Sequence, residues 1–232
     1  SLARCSGLAP NAKTFTSWMD LVSSGSVDAV IISLPTHLHA DAAIAAFSAG
    51  IDVYLEKPIA STVADAQRIV DAWKTSGRTC AVGYNYRLNP LFASLRNQIR
   101  HAEIGQPQSV QTNFAIPAGM QNTWRGSRAS GGGAVLDLAT HHIDLLRWTL
   151  DSEVVSVSAR IESRVTDHDW AELELTFENE VAATMRCAYG QQFTDSISVT
   201  GTQGMRSVHR ARSFSVEKTP EPSWRGRMPT PA

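Results

Sequence analysis

The sequence is poor in three things, and each shortage removes a class of function. Cysteine occurs only at Cys5, Cys80 and Cys187, far apart and with no Cys-x-x-Cys pair. That spacing excludes a zinc knuckle and a disulfide-stapled scaffold, and it is the pattern expected of reduced thiols in a cytoplasmic protein. No apolar run approaches the roughly 18 residues of a membrane helix. The opening SLARCSGLAP also lacks the apolar centre of a signal peptide, so neither a membrane partner nor export is expected. Charge of one sign is not in excess either: 21 Lys and Arg against 22 Asp and Glu leave a net charge of -1. Such a balance gives no overall attraction to nucleic acid or to an anionic membrane. What remains is a globular composition, 43% hydrophobic over 232 residues, enough for one large core or two small ones.

The first half alternates strand and helix signals. AVIISL, Ala29 to Leu34, is a short apolar β-branched run of the kind buried on both faces of a sheet. HADAAIAAFSAG follows with helical spacing and a glycine stop at Gly50, and IDVYLE then reads as a second strand. Thr62 and Asp65 form a capping box ahead of Val63, Ala66, Ile69, Val70 and Trp73, which fall on one helical face before Gly77. TCAVGY gives a third strand, so residues 29 to 84 are expected to make a parallel segment with right-handed crossovers. Asn89 and Pro90 suit the N-cap and first position of a helix burying Leu91, Leu95 and Ile99 and ending at Gly105. After Leu150 the period changes from 3.6 to 2. VVSVSARIES, WAELELTF, EVAATMRCAY and SISVTG predict a mainly antiparallel sheet covered on one face, with a hairpin turn at residues 178 to 180. Arginines and prolines from Arg206 onward read as a linker or tail. Its Arg206, Arg210, Arg212, Arg225 and Arg227, with only Phe214 and Trp224 among them, make a poor nucleic-acid site, and no nucleic-acid partner is expected. The fold class expected is α/β, a partial Rossmann-type parallel sheet over residues 1–88 followed by an α+β domain with an open, mainly antiparallel sheet over 89–232.

Ligands in open parallel sheets lie beyond the carboxyl ends of the strands. Two polar stretches fall there: PTHLH, Pro35 to His39, and EKP, Glu56 to Pro58. A lysine in such a cleft can move a proton or orient a substrate hydroxyl, and the plain alternative for Lys57 is a solvated loop residue. Pro58 restrains Lys57 and its peptide bond is a candidate for the cis form. A second site is expected in GGGAVLDLATHHIDLLRWTL, Gly131 to Leu150. On an α-helix Asp137 and His141 project from one face, while His142 is turned about 100° away. A carboxylate beside an imidazole fixes its tautomer and raises its basicity, as a general base requires, and a satisfied structural histidine is the alternative. The glycines allow a tight turn and a weak phosphate nest. Adjacent helical positions diverge, so Asp137, His141 and His142 do not make a metal site and none is expected.

Taken in order, PTHLH, EKP, VGYNYRLNP, WR before a glycine run and GGG…LDLATHHIDLLRW resemble the glucose-fructose oxidoreductase and inositol dehydrogenase family, Gfo/Idh/MocA. The resemblance spans about Ala29 to Trp148 by motif, and the strands around VTGTQG suit the family's second domain. It implies a dehydrogenase that uses NAD or NADP on a sugar, polyol or related hydroxy compound, works as a homodimer or higher homo-oligomer, and is cytoplasmic. By motif, Lys57, Asp137 and His141 are similar to the family's catalytic lysine, aspartate and histidine. Pro35, His37, His39, Glu56, Lys57 and Asn85 fall where the family lines its cofactor, with Trp124 and Arg125 also in reach of it.

The chain departs from the family at its start. It contains no Gly-x-Gly-x-x-Gly, the turn that brings a pyrophosphate to a helix N-terminus. The expectation is therefore a fragment without the first β-α-β unit and some C-terminal elements, exposing an apolar sheet edge that lowers stability or favours association. A non-catalytic sugar-binding or regulatory module is the competing reading, favoured by the missing motif and opposed by Lys57, Asp137 and His141.

Overall fold

The computed structural model describes Gly7 and residues 9–119 and 123–219. Two units divide between Gly83 and Tyr84. The turn Asn85–Leu88 belongs to the second unit, whose core takes in Tyr86.

In the first unit, α1 (Trp18–Ser23) is capped by Ser17, whose hydroxyl accepts from the Met19 amide. Strands β1 (Ala29–Ile32), β2 (Asp52–Leu55) and β3 (Cys80–Val82) form a parallel sheet in that order. Ile32 is level with Leu55, and Leu55 with Val82. Helix α2 (His39–Ser48) buries Phe47 together with Ala40, Ala42, Ala43 and Ala46, whose small side chains let its backbone lie close to its neighbours. Helix α3 (Val63–Ser76) begins as the sequence specifies: Thr62 accepts from the Asp65 amide at 3.1 Å and donates to its carboxylate at 2.9 Å. It ends at Gly77 with φ +66°. Its apolar stripe is not all inward, since Ile69 alone is fully buried while Val63 is 88% exposed. The strand at residues 29–34 also differs from expectation. β1 is an edge strand with Ile31 75% exposed, so one of its faces is uncovered.

The second unit packs two helices on a seven-stranded sheet. Helix α4 (Pro90–Arg100) opens with the Asn89 side chain accepting from Leu91 at 2.9 Å, and it ends at Arg100, before the expected Gly105. The sheet contains β4 (Pro107–Ile116), β5 (Val154–Glu162), β6 (Trp170–Phe177), β7 (Ala182–Tyr189), β8 (Thr194–Gly201), β9 (Gly204–His209) and β10 (Glu217–Thr219). The order is β10-β9-β8-β4-β7-β6-β5, antiparallel throughout except for the β4–β7 pair. Between β4 and β5 the chain forms a π turn (Val135–Ala139) and α5 (Thr140–Leu150). Phe92, Leu95, Leu145 and Leu146 meet Phe114, Leu173, Phe177, Met185 and Ile197 in one core.

Alternation is cleanest in β6, where Ala171, Leu173, Leu175 and Phe177 are buried and the residues between them are not. It fails in edge strand β5, whose Val155, Val157 and Ile161 are exposed despite their apolar pattern. The hairpin at residues 178 to 180 closes with Glu180 at φ +65°. β4 had no strand signal in the sequence reading. β9 replaces part of the expected tail, and its Arg206 is buried, donating to Gln98 and Glu103. Arg225, Arg227, Trp224 and Cys5 lie outside the described residues. No helix among those described is long and apolar enough to cross a membrane.

Candidate active site

The candidate residues fall into both units. In the first, β1 and β2 end side by side, the Glu56 amide donating to Ile32 and so extending their pairing. Pro35 and the exposed His37 follow β1, the latter within the short turn Thr36–Leu38. Half-buried Glu56 and Lys57 follow β2, and the Lys57 amide faces the Glu56 carboxylate at 3.3 Å. The Lys57–Pro58 bond is cis. His39 departs from its expected role. It is 1% exposed, with Nδ1 3.0 Å from the Pro58 carbonyl and Nε2 2.9 Å from that of Leu34, so it braces the two strand ends against each other instead of facing a ligand. Thus Pro35, His37, Glu56 and Lys57 are polar or open positions at the carboxyl ends of adjacent parallel strands, the place where open α/β sheets take ligands.

In the second unit the glycine run is explained by packing. A Cβ on Gly132 would stand 2.2 Å from the Arg125 carbonyl, and Gly131 and Gly133 have φ of +79° and +96°. The amides of Gly131, Gly132, Gly133 and Ala134 donate to the carbonyls of Arg128, Ser127, Arg125 and His168 respectively. These donors are satisfied within the chain, so the phosphate nest considered for this run is not formed. The run is instead a seat for the turn Trp124–Gly126, which it holds against Asp137.

The segment after the glycines is π-helical over Val135–Ala139, and the α-helical spacing assumed for Asp137 does not apply there. Buried Asp137 is oriented from elsewhere. It accepts from the Tyr189 hydroxyl at 2.9 Å, and Nε of Arg125 lies 3.3 Å from the same oxygen. Burial and the neighbouring Asp137 push the Tyr189 phenol well above its usual range. Arg125 in turn lies over Trp124, 4.6 Å from its centroid. Arg125, expected in reach of the cofactor, thus also contacts Asp137, and Tyr189 is a contact that no sequence motif marked.

His141 begins α5 half-buried, its ring stacked on Tyr86 at 4.5 Å and 19°, with Phe114 at 6.0 Å. His142 is fully buried, with Nε2 3.0 Å from Asp195. Asn85 is exposed at the start of the turn preceding α4, in this second unit. Asp144 on α5 takes a bidentate pair from Arg87, at 2.8 and 2.5 Å, fixing that turn to the helix. Among the described residues no group of three or more His, Cys, Asp or Glu could hold a metal ion.

A family model described as an oxidoreductase family with an NAD-binding Rossmann fold matches residues 6–84, and one for the GFO/IDH/MocA C-terminal domain matches residues 92–207. The chain belongs to the Gfo/Idh/MocA family. Its relatives include an inositol 2-dehydrogenase of Salmonella paratyphi B, 31% identical over 89% of this chain and 62% of that protein. Another is a 1,5-anhydro-D-fructose reductase of Ensifer adhaerens, 30% identical over 83% of this chain and 60% of that one. Among solved structures, the WlbA dehydrogenase from Bordetella pertussis in complex with NADH and UDP-GlcNAcA is 26% identical with a TM-score of 0.84, covering 95% of this chain and 66% of that chain. This Gfo/Idh/MocA chain therefore spans about 62% of the length of the Salmonella relative.

Proposed function

We propose that the protein is a nicotinamide-dependent dehydrogenase acting on a hydroxyl-bearing carbon of a sugar, polyol or related compound. The observation that carries this reading is His141, a half-buried imidazole walled by Tyr86 and Phe114, in the same helical segment as a buried carboxylate that Arg125 and Tyr189 orient. A general base needs partial shelter from water and a fixed ring, and both are present. Nδ1 of His141 is buried, which leaves proton transfer to Nε2.

In this mechanism His141 takes the hydroxyl proton as the C–H hydride leaves the same carbon. Asp137 favours the imidazolium that forms. Lys57 hydrogen-bonds the reacting oxygen and stabilises the negative charge that grows on it. NAD or NADP, when bound, supplies the hydride acceptor. In the first unit Pro35, His37, Glu56 and Lys57 would contact it, and in the second Asn85 and Trp124 are the residues proposed to do so. Arg125 serves Asp137, and His39 braces the strand ends. The relatives named for inositol and anhydrofructose support a cyclic polyhydroxy substrate. The protein is read as a homodimer or higher homo-oligomer, a reading supported by the exposed sheet face that carries Gln111, Asn113, Thr184 and Arg186. The free thiols of Cys80 and Cys187 support a cytoplasmic setting.

The test is reduction of NAD and then NADP with myo-inositol and a panel of aldoses and anhydrosugars. Turnover with at least one pair, lowered about 10²- to 10⁴-fold by Lys57→Met, is expected. Saturable sugar binding with reduction of neither cofactor would support a sugar-binding module instead.

A further inference from the structure

Asp195 stands in β8, is 0% exposed, and was not singled out by the sequence. Its Oδ1 lies 3.0 Å from Nε2 of His142. Its Oδ2 accepts from the Tyr86 hydroxyl at 2.5 Å and from Nε of Arg210 at 2.5 Å. Burial alone would raise its pKa, but the donors His142, Tyr86 and Arg210 outweigh it and hold the carboxyl below the ordinary range. A buried carboxylate with three donors is costly to desolvate and gives little net stability over an apolar packing of the same volume. What it does supply is geometry.

Of the three donors, Tyr86 packs on His141 directly and His142 does so through Phe114. Tyr86 stacks on His141 at 4.5 Å and on Phe92 at 5.2 Å. His142 stacks on Phe114 at 5.3 Å, and Phe114 in turn lies 6.0 Å from His141. The third donor, Arg210, lies over the Tyr86 ring at 5.2 Å. One carboxylate therefore fixes the hydroxyl of the ring beneath His141 and the imidazole that backs its other aromatic neighbour.

We propose that Asp195 is the positioning residue for His141: by anchoring Tyr86 and His142 it fixes the surface on which the His141 imidazole lies, and so the direction of its proton-accepting nitrogen. Its catalytic consequence rests on the reading of His141 as the base, whereas its structural content does not.

The experiment records the histidine ring Cε1–H signals of the whole protein by NMR, with His141→Gln assigning the signal. Tyr86→Phe keeps the ring and removes the hydroxyl that Asp195 anchors, and Asp195→Asn removes the charge. Wild type is expected to show a His141 signal displaced upfield by the stacked ring, and both variants to lose part of that displacement, with the signals of exposed His37 and His101 unmoved. In turnover assays the same variants are expected to lower kcat about ten- to hundredfold with KM for the sugar within about twofold, as a misaimed base should. An unchanged His141 signal in folded Tyr86→Phe overturns the proposal, and that variant decides the matter even where Asp195→Asn does not fold. Full turnover by His141→Gln would instead refute the reading of His141 as the base and leave the NMR result standing.

Discussion

A Cβ on Gly132 has nowhere to go while the Arg125 carbonyl stays where it is, 2.2 Å away. Gly132→Ala must push the turn Trp124–Gly126 outward and carry Arg125 off Asp137, at a cost of about 1–3 kcal/mol for forced overpacking. A thermal melt checks this, and an unchanged Tm would mean that the turn yields freely. The sequence made Asp137, His141 and the glycines visible because they lie within eleven positions of one another, a range that local spacing rules cover. It could not reveal Tyr189, which reaches Asp137 from 52 positions away, or Asp195, which meets Tyr86 across 109. Contacts of that span leave no local periodicity to read. His39 was visible but misassigned, since a histidine at a strand end looks the same whether it faces a ligand or two carbonyls.

Strand β7 carries two groups, Cys187 and Tyr189, that make stability fall at alkaline pH. Burial pushes the Cys187 thiol up to about 12, and the Tyr189 phenol at the end of the same strand is raised as well. The folded chain keeps protons that the unfolded chain gives up, so this stabilisation is complete below about pH 8.5 and is lost as pH rises toward 12. Tm should fall through that window. Cys187→Ala, whatever its cavity costs at neutral pH, should flatten the fall; an identical alkaline slope would contradict the assignment. Asp195 works the other way, its depressed pKa giving stability that is present above about pH 4 and lost as acid protonates it. On α3 the capping box is simpler, and Thr62→Ala should cost about 1 kcal/mol in chemical denaturation. Helix starts of this kind were legible because the cap is written in adjacent residues. β4 was not, because its core-facing row of Val110, Thr112, Phe114 and Ile116 includes a polar threonine and is interleaved with a glutamine and an asparagine, and its place between β7 and β8 is set by pairing with distant strands. Edge strand β5 shows the converse, a good alternating pattern left without a helix to cover it.

At the scale of the molecule the two units have separate apolar cores with no residue in common. A chain starting at Tyr84 is accordingly expected to keep its sheet signal in circular dichroism and to melt cooperatively; a non-cooperative melt would show that its core needs the first unit. In the first unit the uncovered face of β1 presents Ile31, 75% exposed, beside an edge that pairs with no other strand among the described residues. Ile31→Lys should reduce concentration-dependent light scattering without lowering Tm. The order of strand and helix and the family were legible from the motifs, whereas the uncovered strand face was not, because an apolar run reads as buried whether or not anything lies over it. The proposed dependence of hydride transfer on a base at His141 is measured by comparing turnover of wild type and His141→Gln with one sugar and one nicotinamide cofactor, at equal folded fraction by circular dichroism. A loss of about 10²- to 10⁴-fold in kcat with folding intact is expected; equal rates would remove His141 from the mechanism.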